Sequence, residues 1–135
     1  MELQVGVKIL LKNGDGKYLL VRRSPKKYPE VGPKWDIVGG RIDPGSPLID
    51  NLRREIKEEV NLNYIGEPVL VGAQDILRVF GRHVVRLTYK GEIEGEPKID
   101  DDHLEWKWFS MDEIKAMSGE VLDIFFKELL DKNYF

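Results

Sequence analysis

The chain contains no cysteine, which excludes disulfides and thiolate metal sites. It has no apolar run long enough to cross a bilayer. The opening MELQVGVKILLKNGDG mixes charge into a short apolar run, the wrong pattern for a signal peptide, so a cytoplasmic location is expected. No sign of charge dominates: 21 Lys and Arg face 24 Asp and Glu, for a net charge of -3. That balance lacks a basic nucleic-acid footprint, so neither DNA nor RNA binding is expected, and no membrane partner either. Internal repeats, low-complexity tracts and long linkers are missing too. What remains is 135 residues, 41% of them hydrophobic, which suit a single domain over 1–135 with a real core.

Residues 3–11 are apolar and β-branched and predict a strand. NGDG at 13–16 predicts a turn, and 17–23 the returning strand of a hairpin. SPKKYPEVGPK, 24–34, is a basic, proline-rich loop; WDIV, 35–38, reads as one short buried strand, and GGRIDPGS as a turn-rich loop. Ser46 then reads as the N-cap of a helix from Pro47 to Val60, with Ile49, Leu52, Ile56 and Val60 as its apolar stripe. Asn61 stands where a helix ends in a left-handed residue. Two long strands meet near Gly81, WKWF at 106–109 is another strand, and Ser110 caps a helix over MDEIKAM. A last helix over 120–131 turns Val121, Leu122, Phe125, Phe126 and Leu129 inward. This order predicts an α+β fold, a mixed sheet with helices packed on it.

The helix carries an unusual face. Glu55, Glu58 and Glu59 sit at helical spacing, where like charges repel. Arg54 can pair with Asp50 and Glu58 and offset part of that repulsion, as on any solvated helix. The glycine loop before the helix allows close backbone approach. A hard divalent cation takes oxygen ligands and reverses the repulsion, which points to a metal-assisted phosphate site.

GGRIDPGSPLIDNLRREIKEEVNL resembles the Nudix box, the loop-helix-loop signature of the Nudix hydrolases. Gly40 matches the first glycine of that pattern, and Arg54, Glu55, Ile56, Glu58, Glu59 and Leu62 match its second half in register. Ser46 replaces the pattern's first glutamate, Asn61 its last glycine, and Val38 the frequent preceding proline. The surrounding segments follow the family's order over nearly the whole chain. The resemblance implies an α/β/α sandwich and hydrolysis of a diphosphate bond in a nucleoside diphosphate derivative.

It further implies that Glu55 and Glu59 ligate Mg²⁺ or Mn²⁺, with Glu58 as a further ligand or a base and the Gly39 carbonyl as an extra ligand. Relatives often carry a catalytic carboxylate just before the W-F strand, which makes Asp102 and Glu105 candidates in IDDDHLEW; His103 reads as a polar loop residue. Arg22 and Arg41 are the expected phosphate contacts among Arg22, Arg23, Lys26, Lys27 and Arg41. Tyr28, Trp35 and Phe80 are candidates to stack on a base. ILRVFGR lacks the proline of the ADP-ribose branch and the tyrosine of the dinucleoside polyphosphate branch. The expected substrate is thus a nucleoside triphosphate or nucleotide sugar. The competing readings are a catalytically attenuated nucleotide-binding or sensor domain and a plain structural domain. A homodimer is expected only by analogy with relatives.

Overall fold

Alternation along the first strand decides the layering. In the computed structural model, which describes residues 1–24, 26, 33–101 and 103–135, β1 (Glu2–Lys12) buries Val7, Ile9 and Leu11 beneath α1 (Leu48–Val60). Leu10 faces the other layer, formed by α2 (Met111–Lys115) and α3 (Ile124–Asp131). The strands between are β2 (Tyr18–Arg23), β3 (Trp35–Asp36), β4 (Val38–Arg41), β5 (Tyr64–Ile76), β6 (Arg82–Ile93) and β7 (His103–Phe109). They form one mixed sheet: β1 runs parallel to β6 and antiparallel to β2 and β4, while β7 and β3 flank β2 and β5 pairs with β6. This is the expected α+β arrangement of a sheet between helices. Lys27, Tyr28 and Asp102 lie outside the described residues.

Several boundaries differ from expectation for local reasons. WDIV is not one strand; it breaks at Ile37, and the two glycines expected in a loop lie in β4, paired with β1. Glycine makes this pairing possible: a Cβ on Gly39 would lie 2.0 Å from the Val7 carbonyl. The last helix starts later, at Ile124, because Asp123 caps it by accepting from the Phe125 and Phe126 amides. Val121 is therefore exposed, and Leu130 joins Leu122, Phe126 and Leu129 in the core. Ser110 does cap α2, in a full capping box with Glu113. Asn61 adopts the left-handed conformation (φ 56°, ψ 39°), and its amide donates to the Lys57 carbonyl.

Ser46 does not cap α1. Pro47 occupies that position, with no side-chain cap hydrogen bond. Asn51 takes over from inside the helix: its side chain accepts from the Asp43 amide at 2.8 Å and donates to the Ser46 and Pro47 carbonyls at 3.0 and 2.8 Å. Asn51 is 1% exposed, so these bonds are shielded. Asn51→Ala should lower stability by about 2 kcal/mol, because it leaves buried backbone groups unpaired. Ser46→Ala should stay within ~0.5 kcal/mol of wild type. Urea unfolding checks both, and an equal loss at Ser46 would return the cap to the serine.

Candidate active site

The last turns of α1 place Glu55 and Glu59 under β4. Glu59 is buried; its Oε2 accepts from the Gly39 amide at 2.8 Å, and its Oε1 lies 3.3 Å from His103 Nε2. His103 Nδ1 in turn lies 2.6 Å from Asp100 Oδ1. The segment carrying Asp100 is pinned to the helix end, with the Lys98 amide bonding Val60 and the Asp100 amide bonding Glu59. Burial pushes the Glu59 pKa well above the usual carboxylate value, against the pull of Lys8 and the Gly39 amide; the Glu55 and Asp100 carboxylates add to the rise. Burial also raises Glu55, with Arg54 opposing and Glu58 adding to the rise. Glu58 is exposed, and Arg54 reaches it at 3.3 Å while donating to Glu55 at 2.9 Å. Arg54 also bonds the Arg41 carbonyl and Asn51, so it ties the helix to the glycine strand.

These carboxylates line a cleft of about 450 Å³ that six cations share: Lys8, Arg23, Arg41, Arg78, Arg82 and Arg86. Beneath it lies a ring of buried charges. Arg23 bonds both Asp36 and Asp123, the latter at 2.6 Å. Arg86 bonds the same two carboxylates at 3.2 and 3.0 Å, and Lys8 Nζ reaches Asp36 at 3.0 Å. Burial alone would raise the Asp36 pKa, but Arg23, Lys8 and Arg86 together outweigh it and hold the carboxyl well below the usual range.

The structure brings together Gly39, Arg41, Glu55, Glu58 and Glu59 at the cleft. The Gly39 carbonyl faces Lys8 Nζ at 3.5 Å. Arg22, Trp35, Phe80 and Glu105 do not line it. Arg22 bonds Glu105 at 2.6 Å and lies over Trp35, which packs edge-on against Phe109; these contacts hold the β2, β3 and β7 strands together. Phe80 is fully exposed in the turn between β5 and β6. His103 is not a loop residue; it opens β7 and is buried between two carboxylates. Sequence reading passed over Lys8, Asp36, Arg86, Asp100 and Asp123. Three of them had a signal: Lys8, Asp36 and Arg86 are charges set among apolar strand residues, where a charge has to be paired.

Among the described residues, no three metal-ligating side chains already converge. The donor set still fits a hard cation. Two carboxylates one helical turn apart, Glu59 buried and Glu55 half-buried, have a raised affinity for protons, which a divalent ion would replace. Gly40 makes room for them, since a Cβ there would sit 2.6 Å from Glu55 Oε2. The Arg54 contact occupies Glu55 Oε1.

A family model described as the NUDIX domain matches residues 2–129. The chain is 29% identical over 124 residues to an RNA pyrophosphohydrolase from Bartonella bacilliformis; the match covers 87% of this chain and 66% of that protein, just under two thirds of its length. Among solved structures, a MutT protein from Methanosarcina mazei superposes with a TM-score of 0.82 at 25% identity, covering 96% of this chain and 91% of that one. A NUDIX hydrolase from Nitrosomonas europaea gives 0.78 at 25% identity, covering 98% and 89%. With the family model spanning nearly all of its length and the same fold in these structures, the chain belongs to the Nudix hydrolase family.

Proposed function

We propose that this protein hydrolyses a diphosphate bond in a nucleoside diphosphate derivative, with Mg²⁺ or Mn²⁺ held by Glu55 and Glu59. One observation carries the reading: a buried carboxylate, Glu59, and a half-buried one, Glu55, lie under a glycine strand and share a cleft with six cations. That pairing suits a cation on one side and polyphosphate oxygens on the other. The ion, when bound, neutralises diphosphate charge and makes water a better nucleophile. The Gly39 amide and His103 keep the Glu59 carboxylate in one orientation. Exposed Glu58, steadied by Arg54, accepts the proton of the water that attacks phosphorus. Arg41, Arg82 and Lys8 offset the charge that grows on the departing phosphate. Asp102 and Glu105 are the rival bases, and Glu105 is engaged by Arg22.

A substrate panel tests the reading. It should hold nucleoside triphosphates, nucleotide sugars, ADP-ribose and, because of the Bartonella relative's name, a 5′-triphosphorylated oligoribonucleotide. Phosphate or pyrophosphate release should depend on Mg²⁺ and stop in EDTA. No release from any member with Mg²⁺ or Mn²⁺ would overturn it, and tight binding without turnover would make the protein a binding domain.

A further inference from the structure

The buried ring is costly by ordinary standards. Arg23, Arg86, Asp36 and Asp123 are 8%, 5%, 1% and 2% exposed. Two guanidinium groups and two carboxylates close a cycle, each arginine touching both acids. Such arrangements recover little more than their desolvation cost, and apolar side chains of like volume often serve stability better. The ring is also under-satisfied, because the buried Arg86 Nε finds no acceptor among the described residues. Stability is therefore a poor account of it. Its place is a better one, since both arginines line the cleft.

The acid that completes the ring comes from the far end of the chain. Asp123 Oδ2 caps α3 and also bonds Arg86, while its Oδ1 holds Arg23. Its backbone is fastened to the same wall: the Asp123 amide donates to the Trp35 carbonyl at 2.8 Å, and the Trp35 amide to Val121. The first turn of α3 extends the arrangement. Arg78, another cleft arginine, lies over the Phe125 ring at 5.2 Å, and Gln74 donates to the Phe125 carbonyl at 2.8 Å. One helix start thus contacts three of the cleft's arginines.

We propose that Asp123 is a positioning residue that fixes Arg23 and Arg86 as a rigid phosphate-binding pair, so that the start of α3 shapes the anion-binding part of the cleft. This rests on the diphosphohydrolase reading and adds to it the element that sets grip on the polyphosphate. A guanidinium held by two carboxylates loses its rotamer freedom before the anion arrives, and binding then costs less. Asp36 acts from the centre in the same way, and Asp123 ties the pair to the helix.

The test uses inorganic tripolyphosphate in EDTA, a polyanion with no base and no metal partner. Calorimetry on wild type should show binding to the cleft. Asp123→Asn keeps a good cap residue but removes the charge that both arginines share. Its affinity for tripolyphosphate should fall tenfold or more, with stoichiometry unchanged. A merely structural role would lower the fraction of competent molecules and leave affinity alone. Asp123→Ser also keeps a cap oxygen and removes the shared charge, and should lose affinity similarly; it decides the matter if Asp123→Asn does not fold. Wild type that binds no tripolyphosphate, or a folded variant that binds as tightly as wild type, overturns the proposal. Because no turnover is measured, an inactive substrate panel beside a positive result here would sink the hydrolase reading alone.

Discussion

Glu59→Gln is expected to cut turnover about a hundredfold, the upper end of what lost metal-site interactions cost, and high Mg²⁺ should restore part of it. Glutamine keeps an oxygen for the Gly39 amide, so the local backbone stays in place. What goes is the charge that the ion needs. Glu58→Gln should behave differently: a rate lower by ~10²–10⁴ that added metal does not restore, as for a lost base. The same Glu59 variant should stabilise the metal-free protein. The sign follows from linkage. Burial raises the folded pKa of Glu59 above its unfolded value, so its contribution is fully favourable only below about pH 4.3, the unfolded value, and is lost as pH rises through the folded one. At neutral pH in EDTA the folded state has either to bury the charge or to take up a proton that the unfolded chain has released; both cost stability, and glutamine removes that cost. Thermal unfolding in EDTA should therefore show a higher Tm for the variant, and turnover against Mg²⁺ a lower rate. A variant with wild-type rate and metal response would remove Glu59 from the metal site.

Gly39→Ala and Gly40→Ala should separate folding from activity within two adjacent residues. Gly39 has φ +145°, and a Cβ there would meet the Val7 carbonyl at 2.0 Å and Lys8 Cα at 2.7 Å. Backbone cannot step aside, so β4 has to leave β1. A loss of about 3 kcal/mol or more is expected from strain and overpacking together. At Gly40 the added carbon would meet only the end of the Glu55 side chain, 2.6 Å away. That chain can swing out, so stability should change by less than ~1 kcal/mol. The carboxylate, however, leaves its place, and activity should fall tenfold or more. Urea unfolding and turnover on the same two proteins check both halves. A stable Gly39→Ala, or a fully active Gly40→Ala, would contradict the packing described for this strand.

The sequence is read most easily where one periodicity acts alone. The α1 stripe, the Asn61 terminus, the Ser110 cap and the long β5–β6 pair all follow from local pattern. The acidic face was visible for the same reason, since three glutamates at helical spacing need no tertiary knowledge. What stayed hidden depends on partners far apart in the chain. Asp123 and Arg23 are separated by 100 residues, and nothing near Asp123 shows that it does more than cap a helix. Ser46 misled in the opposite direction: its residue type suits a cap, but the buried Asn51 amide reaches the same backbone groups from inside. Arg22 and Arg23 are neighbours on a strand, so they point to opposite faces; one holds β7 and the other lines the cleft.

β1 lies between β4 and β6, and Gly6 stands level with Arg41 on one side and Arg86 on the other. Inter-strand spacing is about 4.8 Å, so the backbone sets Arg41 and Arg86 roughly two spacings, about 10 Å, apart. That backbone ruler is independent of side chains. Loops at the rim can be exchanged to change which molecule enters, while the gauge between the strand that covers the glutamates and the strand that carries Arg86 stays constant.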